Sequence, residues 1–209
     1  MIHRSRRGWV GFAVVLALGI GGGVAWNNGL KDRWIPKRFG VVSESDRLYR
    51  SGRIHPALLE EVLARYGIQV VVDLTDPEKD GSAQQDERRI VESLKIRWLN
   101  FPLNGDGTGR VESYVSAVAL MVQARSEGQP LLVHCAAGAQ RTGGAVAFYR
   151  VLVEGRAPAV AVAELKRYGW QPDKDRELID YLNANMAFVA ARLYAMRAIA
   201  SLPDPLPRF

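Results

Sequence analysis

The alternation of apolar and polar residues along the chain predicts strands that alternate with helices. Three apolar runs rich in branched residues, 68–74, 96–101 and Leu131–Val133, have the length of buried strands. Two shorter stretches, 41–42 and 48–50, flank a turn and predict two further strands. Apolar residues at helical spacing predict helices over 56–66, through Ile90, Val91 and Leu94, from Val111 to near Gly128, over 142–153, over 158–168 and from Leu178 to about Ala200. The pattern therefore predicts an α/β protein with helices on both faces of its sheet.

The N-terminal segment has a different pattern. Residues 8–30 carry no charge, and the apolar run Trp9–Trp26 follows several arginines. This is near the roughly 20 residues that a membrane-spanning helix needs. Two interpretations remain open, a retained single-pass membrane anchor or a signal peptide cleaved after Ala25 that would leave a secreted or periplasmic protein. With Arg6 and Arg7 on the inside, the main domain is expected outside the cytoplasm.

Composition narrows the classes of partner and cofactor. The 209 residues suit one domain plus an appendage, and a net charge of +6 permits an anionic partner. Basic residues are spread along the chain without interleaved aromatics, which argues against nucleic acid as a partner. A single cysteine excludes an internal disulfide. The histidines His3, His55 and His134 are far apart in sequence, so neither a metal site nor an organic cofactor is predicted.

That cysteine lies in the segment 130–144, where a predicted strand meets a predicted helix across a short loop. Backbone N–H groups of residues 136–141 can form a nest for a tetrahedral oxyanion at the positive end of the helix dipole. Gly138 permits a positive φ in the turn, and the planar fork of Arg141 can hold two oxygens. The same groups lower the pKa of a thiol, so Cys135 is a candidate nucleophile. The alternative is an inert buried cysteine before an ordinary helix.

The sequence His134-Cys135-x5-Arg141-Thr142-Gly143 resembles the signature loop of cysteine-dependent protein tyrosine and dual-specificity phosphatases. In addition, Leu-Tyr-Arg-Ser-Gly at 48–52 resembles the entry segment of the atypical dual-specificity phosphatases of bacteria, plants and fungi. The resemblance implies a compact phosphatase fold with a central, mostly parallel sheet. It divides the chain into an anchor or signal segment at 1–30, a linker at 31–40, a phosphatase domain at 41–200 and an irregular tail at 201–209.

A carboxylic acid that protonates the leaving oxygen would assist phosphate-ester cleavage. Asp106 lies in the glycine-rich loop 102–110, upstream of Cys135, where the related phosphatases carry an aspartate on a mobile loop. We therefore predict Asp106 as the general acid, although a simple turn aspartate has the same local pattern. Glu112 and Asp86 are the next candidates for this role.

The resemblance also assigns supporting roles around the thiolate. Thr142 is expected to donate a hydrogen bond to sulfur, and His134 is expected to hold the loop structurally. The phosphate-binding set would comprise Ala136, Ala137, Gly138, Ala139, Gln140 and Arg141. Asp73 can either support this loop or cap the turn that follows it. From spacing alone, Arg50 and Ser51 belong to an edge strand and a turn.

The neutral side chains inside the loop favour a phosphotyrosine or a similar monoester over a highly charged polyphosphate. A phosphorylated protein or a small phosphomonoester is therefore the predicted substrate. Relatives acting on inositol phosphates keep that class open. Two further alternatives are a membrane-tethered module that binds phosphate without turnover, and a sulfurtransferase, which the Arg-Thr-Gly ending of the loop disfavours.

Overall fold

The computed structural model describes residues 30–209, and the predicted membrane or signal segment therefore lies outside the described residues. The chain divides between Ile35 and Pro36, and Pro36–Phe209 forms one compact unit. This unit includes residues 36–40, which the sequence assigned to a linker. Within residues 30–209, no helix is long and apolar enough to cross a membrane.

The compact unit is an α/β structure with five strands and six α-helices among its described residues. The strands are β1 (Gly40–Ser43), β2 (Leu48–Gly52), β3 (Val70–Asp73), β4 (Arg97–Asn100) and β5 (Leu131–Cys135). The helices are α1 (Pro56–Arg65), α2 (Pro77–Ser93), α3 (Val111–Ser126), α4 (Gln140–Phe148), α5 (Pro158–Arg167) and α6 (Arg176–Ala195). A π-helical turn, Tyr149–Val153, continues α4.

The strands form one mixed sheet in the order β1-β2-β5-β3-β4. The pairings of β2 with β5, β5 with β3 and β3 with β4 are parallel, whereas β1 pairs antiparallel with β2. The sequence alone suggested an edge strand at 48–50, and that prediction is wrong, because β2 lies between β1 and β5. The register places Gly52 of β2 beside Cys135 at the end of β5.

Helices cover both faces of the sheet, as the pattern predicted. On β3, Val71 packs in a small cluster with the apolar faces of α1 and α2. Its neighbours Val70 and Val72 point to the opposite face and join the larger core beneath α3, α4, α5 and α6. The central strands are buried on both faces, which explains their continuous apolar sequence.

The high charge of residues 75–83 predicts a loop there, and this prediction is wrong, because most of the stretch is helical. Helix α2 begins at Pro77, and the Asp76 side chain accepts a hydrogen bond from the Glu78 N–H at 3.0 Å. A capping aspartate followed by proline is a typical start of a helix, and it outweighs the high charge of this stretch. The early start of α2 matters for the site, because it places Asp80 on the helix instead of on a solvated loop.

The other predicted elements are present with adjusted ends. Strands 68–74 and 96–101 shorten to the four residues that pair with each other, Val70–Asp73 with Arg97–Asn100. The last helix ends at Ala195, before the predicted end near Ala200. Gly67 adopts a φ of 60°, the left-handed conformation that commonly ends a helix.

Candidate active site

Cys135 is the last residue of β5, and the loop that follows leads directly into α4. Its side chain is 1% exposed, and the Gly138 N–H donates to Sγ at 3.1 Å. Gly138 has a φ of 78°, and a Cβ there would lie 2.4 Å from the Gly52 nitrogen. The loop can therefore curl over its cysteine only with glycine at position 138.

Charged and polar groups converge on the thiol. Burial by itself would raise the pKa of Cys135, but the Arg141 guanidinium, the Thr142 hydroxyl and N–H and the Gly138 N–H outweigh it, so the pKa is lowered. The Thr142 hydroxyl donates a hydrogen bond to the Ser51 carbonyl oxygen at 3.4 Å. These donors favour the thiolate over the thiol.

Arg141, in the first turn of α4, is buried and faces an acidic side chain on α2. Its Nη1 lies 3.6 Å from Asp80 Oδ2, and the other Asp80 oxygen lies 3.3 Å from Arg53 Nη1. One carboxylate thus bridges two guanidinium groups at the edge of the loop. Pairing of this kind compensates the cost of burying a guanidinium and restricts its orientation.

His134 lies directly before the cysteine and belongs to a buried group of ionisable side chains. Its Nε2 is 2.7 Å from Glu87 Oε1 and 4.0 Å from Asp73 Oδ1. Burial would lower the pKa of His134, but the charges of Glu87 and Asp73 raise it to about 9. Within residues 30–209, these three residues are the one group of side chains whose potential metal-ligand atoms lie close together. Because the His134 imidazole contacts the Glu87 carboxylate directly, the group forms a salt-bridged network.

Asp73 has one of the two roles that the sequence left open. It caps the turn after β3, accepting hydrogen bonds from the Thr75 N–H at 2.8 Å and the Thr75 hydroxyl at 2.7 Å. The Gln84 amide of α2 donates to the same carboxylate at 2.7 Å. Through its proximity to His134, Asp73 also ties this turn to the residue before Cys135.

Replacing Glu87 by glutamine is expected to destabilise the protein by about 3 kcal/mol near pH 6, because an imidazolium whose pKa is raised from 6.5 to about 9 loses its main partner. Since the folded-state pKa of His134 is the higher one, this stability is fully present below pH 6.5 and is lost as the pH rises through about 9. Urea unfolding of the wild type and Glu87→Gln at several pH values measures the difference. A destabilisation that stays constant from pH 6 to pH 10 would contradict the charged network.

The loop that carries Asp106 lies against the start of α4. The hydroxyl of the buried Tyr114 donates to the Gly107 carbonyl at 2.6 Å, and a Cβ on Gly107 would lie 3.4 Å from the Gln140 carbonyl carbon. The Asp106 side chain is exposed and accepts from the Thr108 N–H at 2.9 Å and the Thr108 hydroxyl at 2.8 Å. Burial raises the pKa of Tyr114, and the charges of Cys135 and Asp106 add to this effect.

The two reserve candidates for the acid lie in different surroundings. Asp86 is on the exposed side of α2 and pairs with Arg89. Glu112 is in the first turn of α3 and raises the pKa of Tyr181, after the larger effect of burial. The described contacts connect only Asp106, through Gly107 and Tyr114, to the loop after Cys135.

The sequence pattern did not identify several residues of the site. Asp80, Glu87 and Arg53 contact the loop or its flanking histidine, although each is remote from it in the chain. The Asp-Pro start of α2 was a usable signal for Asp80 and, about two turns further along, for Glu87. Arg50 was assigned to an edge strand, yet it is 1% exposed and donates to the Gly138 carbonyl at 3.1 Å.

The chain is similar to several known proteins. The dual specificity protein phosphatase TpbA of Pseudomonas aeruginosa is 26% identical over 83% of this chain and 79% of its own length. A crystal structure of TpbA matches with a TM-score of 0.60 at 26% identity, and the match covers 77% of this chain and 91% of the TpbA chain. A crystal structure of a TpbA variant in complex with pTyr matches with a TM-score of 0.55 at 24% identity, and this match covers 76% of this chain and 95% of the TpbA chain. The core catalytic domain of the PP-IP phosphatase SIW14 from S. cerevisiae shares the fold, with a TM-score of 0.57 at 17% identity. This match covers 76% of this chain and 94% of the SIW14 chain.

A buried cysteine in a loop between a central strand and a helix, together with these relatives, defines a cysteine-dependent phosphatase. The family model described as "DSP-PTPase phosphatase fused to NAD+ Kinase" matches residues 40–178, more than half of the chain. The chain belongs to this family of dual-specificity phosphatases. Its resemblance to the atypical bacterial enzymes, predicted from the signature loop, is confirmed.

Proposed function

We propose that the enzyme hydrolyses phosphate monoesters through a cysteinyl-phosphate intermediate, with phosphotyrosine or a dual-specificity phosphoprotein as the favoured substrate. One observation carries the proposal: the Cys135 sulfur accepts the Gly138 N–H at 3.1 Å, in a loop whose donors lower the thiol pKa. A thiolate surrounded by donors is poised to attack phosphorus, and the same donors can bind the phosphate oxygens.

In the first step, the Cys135 thiolate attacks phosphorus in line with the bond to the ester oxygen. The S–P bond forms as the P–O bond breaks, while Arg141 and the loop N–H groups stabilise the equatorial oxygens. Asp106 gives its proton to the departing oxygen, so the alcohol or phenol leaves neutral. Thr108 donates both of its hydrogen bonds to Asp106 Oδ1, so the proton for the leaving oxygen can be carried by Oδ2.

In the second step, water attacks the phosphorus of the cysteinyl phosphate. The Asp106 carboxylate left by the first step takes a proton from this water, the S–P bond breaks, and its electron pair returns to sulfur. Inorganic phosphate and the starting thiolate result. Each atom and charge is therefore accounted for by the substrate, one water and the side chains of the site.

Two observations support a monoester over a polyphosphate. The loop side chains from 136 to 140 carry no charge. The three arginines that contact residues 136–138 are already engaged: Arg38 with the Ala137 carbonyl at 2.8 Å, Arg50 with Glu164 at 3.2 Å and Arg53 with Asp80 at 3.3 Å. The crystal complex of a TpbA variant with pTyr supports the same class of substrate.

A turnover comparison of the full-length protein tests the substrate class. We expect kcat/KM for a phosphotyrosine peptide to exceed that for a phosphoinositide and for an inositol pyrophosphate by about tenfold or more, since the neutral loop lacks spare cations for additional phosphates. A phosphoserine peptide, measured alongside, reports whether the enzyme has dual specificity. Measurements at two ionic strengths separate contacts at the site from long-range attraction by the basic protein. A preference for the inositol pyrophosphate that persists at the higher ionic strength would contradict the proposal.

A further inference from the structure

Three consecutive carbonyl groups of the loop after Cys135 are held from outside by residues of one segment, 38–53. The Ala136 carbonyl accepts the Arg53 backbone N–H at 3.2 Å. The Ala137 carbonyl accepts Arg38 Nη1 at 2.8 Å, and the Gly138 carbonyl accepts Arg50 Nη2 at 3.1 Å. Each outward carbonyl therefore has its own donor.

The geometry of the peptide bond gives these contacts a consequence for the site. The loop peptides are trans, and in a trans peptide unit the C=O and the next N–H point in opposite directions. Holding the carbonyls of residues 136 to 138 outward turns the N–H groups of residues 137 to 139 inward. One member of this set is directly visible, because the Gly138 N–H donates to the Cys135 sulfur at 3.1 Å. Arg38 holds the carbonyl of that same peptide unit.

Arg50 is fixed more firmly than a surface arginine. It is 1% exposed, its Nη1 lies 3.2 Å from Glu164 Oε1, and its guanidinium lies over the Tyr168 ring at 3.8 Å from the centroid. Glu164 is itself held by Arg150 at 2.7 Å. A buried guanidinium with a carboxylate, an aromatic face and one loop carbonyl as partners has a single well-defined orientation.

We propose that Arg50 and Arg38 are positioning residues that hold the carbonyl groups of the loop outward, so that its N–H groups face Cys135 and the substrate phosphate. This inference rests on the proposed function and gives a physical role to the segment Leu48–Gly52. Within it, Arg50 holds Gly138, the Ser51 carbonyl lies 3.4 Å from the Thr142 hydroxyl, and Gly52 leaves room for the loop, since a Cβ there would meet the Ala137 oxygen at 2.8 Å.

The test uses two readouts, one of which does not depend on turnover. Because the chain has one cysteine, the ultraviolet absorbance of the thiolate as a function of pH reports the pKa of Cys135 alone, with Cys135→Ser as the blank. The second readout is the affinity for vanadate, which occupies the position of the phosphate. Both are measured on the full-length wild type, Arg50→Lys, Arg38→Gln and a control, Arg65→Gln. Arg65 is exposed at the end of α1 and pairs with Glu61, and its described contacts do not include the loop or Glu164.

We expect Arg50→Lys and Arg38→Gln each to raise the pKa of Cys135 by about one unit, a tenfold change in the thiol–thiolate equilibrium, and to weaken vanadate binding by about tenfold. Lysine retains the charge of Arg50 but cannot reach Glu164 and the Gly138 carbonyl together with a planar fork. Arg50 also interacts electrostatically with Cys135, and Arg50→Lys keeps that charge. The other groups that interact with the sulfur, Arg141, His134 and Tyr114, are the same in every variant. Arg65→Gln should titrate like the wild type.

A folded Arg50→Lys protein with the wild-type thiol pKa and vanadate affinity would overturn the proposal, even if its thermal stability or activity were lower. If Arg50→Lys does not fold, Arg38→Gln decides, because Arg38 forms its contact at the exposed rim of the loop. An unchanged thiol pKa and vanadate affinity in Arg38→Gln would then overturn it. The proposed covalent mechanism would be contradicted by a different result, full phosphatase activity in Cys135→Ser. Failure of the positioning proposal is therefore distinguishable from failure of the proposed function.

Discussion

The Cys135→Ser protein is expected to lose hydrolysis of an aryl phosphate by a factor on the order of 10⁴ or more. Serine is close in size to cysteine, so the loop and its donors should remain in place around it. The donors that lower the pKa of a thiol cannot ionise an aliphatic hydroxyl at neutral pH, and the reaction loses its nucleophile. Steady-state release of phosphate from an aryl phosphate measures the effect.

Vanadate binding serves as the control for this substitution. Arg141 and the inward N–H groups are unchanged in Cys135→Ser, so the variant should still bind a tetrahedral oxyanion. Loss of both binding and turnover would indicate a damaged loop instead of a missing nucleophile. Activity close to that of the wild type would contradict the covalent mechanism itself.

The second large effect is expected for Asp106→Asn, with a fall in kcat on the order of 10² to 10³ for phenyl phosphate. Asparagine can still accept the hydrogen bonds from Thr108, so the loop should retain its conformation, but it has no proton for the leaving oxygen. The effect should shrink for an aryl phosphate with a more acidic phenol, because such a leaving group departs without protonation. Rates for a series of aryl phosphates measure this dependence.

Asp86→Asn is the matched control for the acid. Asp86 pairs with Arg89 on the exposed side of α2, so its replacement should leave kcat near the wild-type value. Equal losses in Asp106→Asn and Asp86→Asn would point to a general electrostatic effect. A loss in Asp106→Asn that is the same for every leaving group would exclude proton transfer to the leaving oxygen.

The parts of the fold that were predictable are those encoded locally. The strands Val70–Asp73 and Leu131–Cys135 are buried on both faces, so their sequences are continuous apolar runs. The signature loop was recognisable because its cysteine, glycine and arginine lie close together in sequence, at positions 135, 138 and 141. The start of α2 is also encoded locally, by the capping residue Asp76 and by Pro77. The loop prediction for residues 75–83 followed their high charge and was wrong because this capping signal is the stronger one.

The partners of the loop were not predictable, because tertiary packing brings them together. Glu87 and Asp80 lie about two helical turns apart on α2, and each contacts a different residue of the loop region. Arg50 depends on the parallel pairing of β2 with β5, which the sequence does not reveal. Spacing alone treated Arg50 as an edge residue, whereas in the fold it lies beneath the Gly138 carbonyl.

The covalent intermediate is the central claim, and mass spectrometry of the acid-quenched enzyme tests it most directly. Full-length protein mixed with an excess of aryl phosphate and quenched within one turnover should carry one phosphate on the peptide that contains Cys135. The amount should increase in Asp106→Asn with a substrate whose leaving group needs no acid, because the second step still requires a base. The Cys135→Ser protein should carry none. Turnover without any phosphate on Cys135 at any quench time, in wild type and Asp106→Asn alike, would contradict the account.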